Sequence, residues 1–276
     1  GFVSGSEDPH SKFNVWGGEE MNPPRYGRLF VALSDTAEEN PSAATMAIDI
    51  LEQKTCVTIL PEFMDVERYE AEVAGSLYYE PLESPLSENM LLSTALDGIS
   101  TKYTNGFKRK YDTGEIANHI NSLDDAFYVS PSDITIKLYY DAIASASSER
   151  PKGIKFRSSC VAGSLTTTEF RAGSTYIASI ENDNKMISLR TSGNVSSKGK
   201  QNINAYYFWN TLEVNLGTVG YFIPSTGEVV FTKHIASENF KVSVEVDSTG
   251  TQTFNAKEEM YAITKTNLNI IRRNVG

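Results

Sequence analysis

The 276-residue chain has only two cysteines, three histidines and two tryptophans. Each scarcity excludes something. Cys56 and Cys160 lie far apart, which rules out a disulfide framework and a cysteine-rich metal site. Cys56, within TCVTIL, reads as a small buried hydrophobe. A reducing compartment such as a cytoplasm fits that usage. His10, His119 and His234 have no second His or Cys at ligand spacing, so they read as structural or surface residues. No metal and no cofactor is expected. No apolar run approaches the ~20 residues that cross a bilayer, and no basic segment followed by an apolar one reads as a signal peptide at the start. Nucleophile-elbow, phosphate-loop and zinc-protease motifs are missing too. There is no excess of positive charge: the net charge of −10 argues against binding a nucleic acid backbone.

What is present is an ordinary hydrophobic content of 40% and charged content of 22%, as in soluble globular proteins. The charge is unevenly spread. Residues 1–145 carry 10 Lys and Arg against 24 Asp and Glu, a balance of −14; residues 146–276 carry 15 against 11, a balance of +4.

The texture changes along the chain as well. Residues 14–16 and 28–33 read as strands. A helix begins at Asn40 as cap and Pro41 as first turn, with Met46, Ile50 and Leu51 as its apolar stripe. CVTILPEF and RYEAEVAGSLYYEP read as strands, the second placing Tyr69, Ala71, Val73, Gly75 and Leu77 on one face. Further helices are expected from Ser87 to Gly106 and over DTGEIANHINSLD, then strands in AFYVSPSDITIKLYY. The order implies an α+β domain over residues 1–141, with helices on one face of a mainly antiparallel sheet. Residues 142–152 read as a linker. Residues 153–276 read as an all-β sandwich or partial barrel, with a hairpin turning at residues 181–185 and another at Pro224–Gly227.

Candidate chemistry is sparse. Glu19-Glu20 and Asp124-Asp125 are adjacent acids whose side chains diverge, whereas a glycosidase needs two carboxylates facing each other across a cleft. They read as solvated charges. Tyr206, Tyr207, Phe208 and Trp209 form an aromatic run that serves as packing or as a ligand platform; in a strand its members alternate faces. The opening stretch asks for a structural reading. Gly17 and Gly18 reach backbone geometry closed to other residues, Pro23 and Pro24 stiffen the return, and Trp16 and Tyr26 bracket it with large amphipathic surface of the kind enriched at interfaces. The loop either caps its own domain or meets a neighbour.

The stretch VWGGEEMNPPRYGRLFVAL, followed by a helix and then VTILPEFMDVERYEAEVAGSLYYEP, resembles the large baseplate wedge subunit of contractile-tailed phages, in the baseplate J superfamily. The likeness covers the first half well. The second half is similar more loosely, through VGYFIPSTGEVVF, a glycine-turn hairpin. Members are longer, so the resemblance implies a C-terminal portion. It also implies a non-enzymatic structural protein of the virion tail, assembled in the bacterial host cytoplasm. Its copies would pair with one another and with other wedge and hub proteins, form a ring, and transmit the trigger for sheath contraction. Trp16, Gly17, Gly18, Glu19, Pro23, Pro24, Tyr26 and Trp209 are the candidate interface residues. Neither nucleic acid nor membrane is an expected partner. The alternative is a carbohydrate- or receptor-binding tail protein using the aromatics of the β half; dispersed acids of a glycoside hydrolase are a weaker third reading. The charge split adds an expectation that unlike halves of neighbouring copies approach each other, with Glu19, Glu20, Glu38 and Glu39 facing Lys198, Lys200, Arg272 and Arg273.

Overall fold

A computed structural model describes residues 13–20, 23–33, 45–46, 49–50, 53, 60–64, 67–103, 106–107, 112–142, 153–172, 186–209, 212–235, 238–247 and 259–273. The first strands are β1 (Phe13–Gly17), β2 (Arg28–Leu33) and β3 (Leu60–Phe63). Next come β4 (Glu67–Tyr79), helix α1 (Glu88–Tyr103), β5 (Gly106–Phe107) and helix α2 (Thr113–Asn121). They are followed by β6 (Phe127–Tyr128), β7 (Ile134–Ala142), β8 (Ile154–Lys155), β9 (Thr166–Thr167) and β10 (Phe170–Arg171). The last six are β11 (Met186–Ser192), β12 (Gln201–Trp209), β13 (Leu212–Ile223), β14 (Glu228–Phe231), β15 (Phe240–Glu245) and β16 (Glu259–Arg272).

These strands form two sheets. The small one runs β1-β2-β3; the large one runs β5-β16-β4-β7-β15-β9-β11-β12-β13-β14-β8, with β6 on β4 and β10 on β11. This order overturns the expected α+β layer followed by a β domain. The described residues are mostly β, 52% strand against 18% helix with two helices bounded among them, and the large sheet is mainly antiparallel. The physical reason is partner choice. β4 and β7 pair with each other, and each still has a second edge whose backbone groups need partners. Strands from late in the chain supply them: β15 pairs antiparallel with β7, and β16 runs parallel to β4 from Glu259↔Glu67 to Arg272↔Tyr79.

The local readings fared better than the assembled one. β4 buries Tyr69, Ala71, Val73 and Leu77, the face marked by alternation. β2 covers the residues read as a strand. Helix α1 turns Leu91, Ala95 and Ile99 inward at four-residue spacing. Helix α2 starts at Asp112, whose carboxylate accepts from the N–H groups of Gly114 and Glu115. Pro224–Gly227 does turn β13 into β14, with Gly227 at φ +65°. The expected hairpin turn at 181–185, Cys56 and His10 lie outside the described residues, as does most of the linker.

One hydrophobic cluster runs from Tyr69 and Ile116 through Phe156, Phe222 and Val244 to Ile263. Tyr69 shows how it is joined. Its ring lies 4.9 Å from that of Tyr140 and 5.8 Å from that of Phe156, and its hydroxyl donates to Lys155 O at 2.9 Å. Residues from before 141 and after 153 thus share one core.

Candidate functional site

The opening stretch is a closed loop. β1 and β2 pair antiparallel, Trp16 opposite Phe30 and Gly17 opposite Leu29. Between them the backbone makes a short 3-10 turn from Gly18 to Glu20 and returns to bond with itself, Arg25 N–H donating to Gly18 O at 2.7 Å. A Cβ on Gly18 would sit 1.8 Å from Arg25 O, so only glycine permits this closure. Gly27, at φ +73°, then turns the chain into β2. Its carbonyl accepts from Leu60 N–H, tying the loop to β3.

Pro23, Pro24 and Arg25 are exposed, and Tyr26 is 80% exposed. Beside them β3 forms an edge of the small sheet, with Leu60 55% exposed and Phe63 39%. Glu62 on that strand lies 3.5 Å from the Arg25 guanidinium and 3.7 Å from that of Arg28. The loop and the ionic cluster therefore lie together beside β3, on which Leu60 and Glu62 share one face and Phe63 points to the other. Strand β2 is buried from Leu29 to Ala32.

Of the residues singled out from sequence, Gly17, Gly18, Pro23, Pro24 and Tyr26 come together here, with Glu19 exposed at the turn. Trp16 and Trp209 are placed by their backbones, in β1 and β12; their side chains lie outside the described set. Leu60 and Phe63 were missed, because an apolar strand residue carries no mark of whether its strand lies at an edge. Met46 and Ile50, read as the apolar stripe of a helix, are helical but 62% and 50% exposed; with Thr45, Asp49 and Gln53 they follow the spacing of one solvent face.

The aromatic run does not divide by simple alternation: Tyr206 and Phe208 share a face of β12, yet only the first is buried, just past the register shift between Ala205 and Tyr206. Tyr206 is buried with the Arg190 guanidinium 4.0 Å above its ring, Tyr207 packs against the core, and Phe208 is exposed. Arg190 also donates to Glu213 and so braces the distal half of the β12–β13 hairpin. That half is offset by two register shifts, where Val219 and Leu216 of β13 have no opposite residue.

Asp124 and His119 have local partners. Asp124 accepts from Ser84 Oγ and Ala126 N–H. His119 Nε2 lies 3.1 Å from Gly98 O, linking α2 to α1. Burial pushes the Cys160 thiol up to about 12. Lys200 stacks over Tyr221 and Arg273 over Tyr128. Among the described residues no three His, Cys, Asp or Glu side chains group to hold a metal, and no helix is long and apolar enough to cross a membrane. The chain matches no protein-family model, and no curated protein sequence is significantly similar to it.

Proposed function

We propose that this chain is a structural subunit of a contractile-tail baseplate wedge, a building block that acts by contact with further copies of itself and with other wedge and hub proteins. The observation that carries the reading is the loop between β1 and β2. The stretch that resembles the wedge family is closed by its own backbone, and it displays Tyr26, Pro23 and Pro24 next to β3, where Leu60 is exposed. Exposed aromatic and apolar side chains of this kind are enriched at the centres of protein interfaces. The carbohydrate-binding alternative draws less support. Of the three aromatics in the run with described side chains, Tyr206 and Tyr207 are committed to packing.

Electron microscopy of contractile tail particles, purified from cells that make this chain, tests the reading. Density that fits the large sheet is expected in the baseplate, at more than one copy per wedge. Purified particles that lack the chain, or hold it only at fibre tips, would overturn it.

A further inference from the structure

Among the described residues the outer edge of β16 is largely unpaired. Thirteen of its residues pair with β4 on one side, while on the other β5 covers only Met260 and Tyr261. From Ile263 to Arg272 no strand among the described residues lies against that edge. Arg273 N–H donates to Tyr79 O at 2.9 Å, so it points towards β4. By the two-residue period of a strand, Thr266, Leu268, Ile270 and Arg272 direct their N–H and C=O groups the other way, into the open edge.

Exposed edges of this length are templates for another strand, and proteins usually blunt them with proline, bulges or short length. Among the described residues such devices are few here: the irregularity between Ile263 and Lys265, and the charged Lys265 and Arg272. There is no proline between Glu259 and Arg272. Side chains along the edge are suited to a flanking strand: Lys265, Asn267 and Asn269 are exposed on one face, and Leu268 and Ile270 pack on the core on the other. Charge narrows the occupant. From Met260 to Gly276 the chain carries Lys265, Arg272 and Arg273 and no acid. A second β16 laid alongside would bring like charges together, whereas an acidic strand would meet opposite ones.

We infer that the β16 edge is a docking site for an extended, acidic segment of a partner protein, which adds to the large sheet as an antiparallel strand through main-chain hydrogen bonds. This stands independently of the proposed function.

The test uses the whole chain and a capped octapeptide of alternating Thr and Val with Glu at both ends, its binding followed by amide hydrogen exchange. Saturable binding is expected, with slowed exchange at Thr266, Leu268 and Ile270, and loss of binding when Lys replaces Glu in the peptide. Thr266→Pro removes an outward N–H and is expected to abolish binding while the protein still melts cooperatively. Should that variant fail to fold, the amide protection and the peptide charge swap decide alone. No binding, equal binding of the acidic and basic peptides, or binding that leaves those amides unprotected would overturn the inference. So would protection of the edge that grows with protein concentration in the absence of peptide, since that assigns the edge to a second copy.

Discussion

On the large sheet, Lys241 bonds Glu70 at 2.7 Å and lies 3.8 Å from Asp141, Tyr139 donates to Glu72, and Lys265 sits over the Tyr139 ring. Four neighbouring strands, β16, β4, β7 and β15, are thus linked across their half-exposed face by polar groups that satisfy one another. On the small sheet, Tyr26, Leu60 and Phe63 stand in water, with a single acid, Glu62, between two arginines. The first surface is complete within the chain. The second leaves apolar area exposed that a partner could bury, at about 25 cal/mol per Å² removed from water. The two faces thus differ in what they leave unpaired: polar groups bond one another on the first, and apolar side chains stand exposed on the second.

The comparison breaks first if the large sheet is not one unit. Tyr69→Ala removes a ring that packs against Tyr140 and Phe156, and a hydroxyl that bonds Lys155 O. A loss of about 3–5 kcal/mol is expected, as for buried aromatics. Calorimetry is expected to show a single transition moving to lower temperature, because residues on both sides of 141–153 share that core. A transition that splits, one part unmoved, would separate the halves.

Gly75→Ala probes the same sheet more locally. The new Cβ would lie 2.2 Å from Asp133 O, at the place where β4 and β7 begin to pair. Overpacking of this kind costs about 1–3 kcal/mol, measurable by denaturant unfolding.

Tyr139→Phe sharpens the polar half of the comparison. Loss of the bond to Glu72 is expected to cost about 1 kcal/mol at neutral pH. Burial first, then the Glu72 carboxylate, raises the Tyr139 phenol above its ordinary 10.0. The folded state therefore holds that proton more tightly than the unfolded state. Its contribution is fully present below about pH 10 and is lost as pH rises above it. Stability of the wild type is expected to fall towards that of the Phe variant above pH 10; parallel curves would contradict the assignment.

The smallest effect on stability is expected at the exposed hairpin end. Phe208→Ser should change the melting free energy by no more than about 0.5 kcal/mol, because the side chain is already in water. A larger loss would show that this end packs against something.

Much of this structure was legible as elements and little of it as arrangement. The alternation of Tyr69, Ala71, Val73 and Leu77 reports which face of β4 is buried, because that pattern is local. The turn at Pro224–Gly227 is local too. Nothing within NLNIIRRNV says that it lies parallel to a strand some 190 residues earlier, since pairing depends on which edges remain open once other strands have paired. Hence helices α1 and α2 were placed correctly while the α+β layer built from them was not. At the candidate surface, the glycines and prolines of the opening loop announced a constrained backbone. Leu60, Phe63, Met46 and Ile50 gave no sign of exposure, because an apolar residue in sequence looks the same whether its neighbour is its own core or another molecule.

Sedimentation velocity across a concentration series, on the wild type and on the double variant Tyr26→Ser, Leu60→Ser, tests most directly whether the exposed loop and β3 join copies of the chain. The account predicts concentration-dependent association of the wild type, a variant that stays monomeric, and equal melting temperatures for both. A wild type that is monomeric throughout, or a variant that associates equally well, would contradict it.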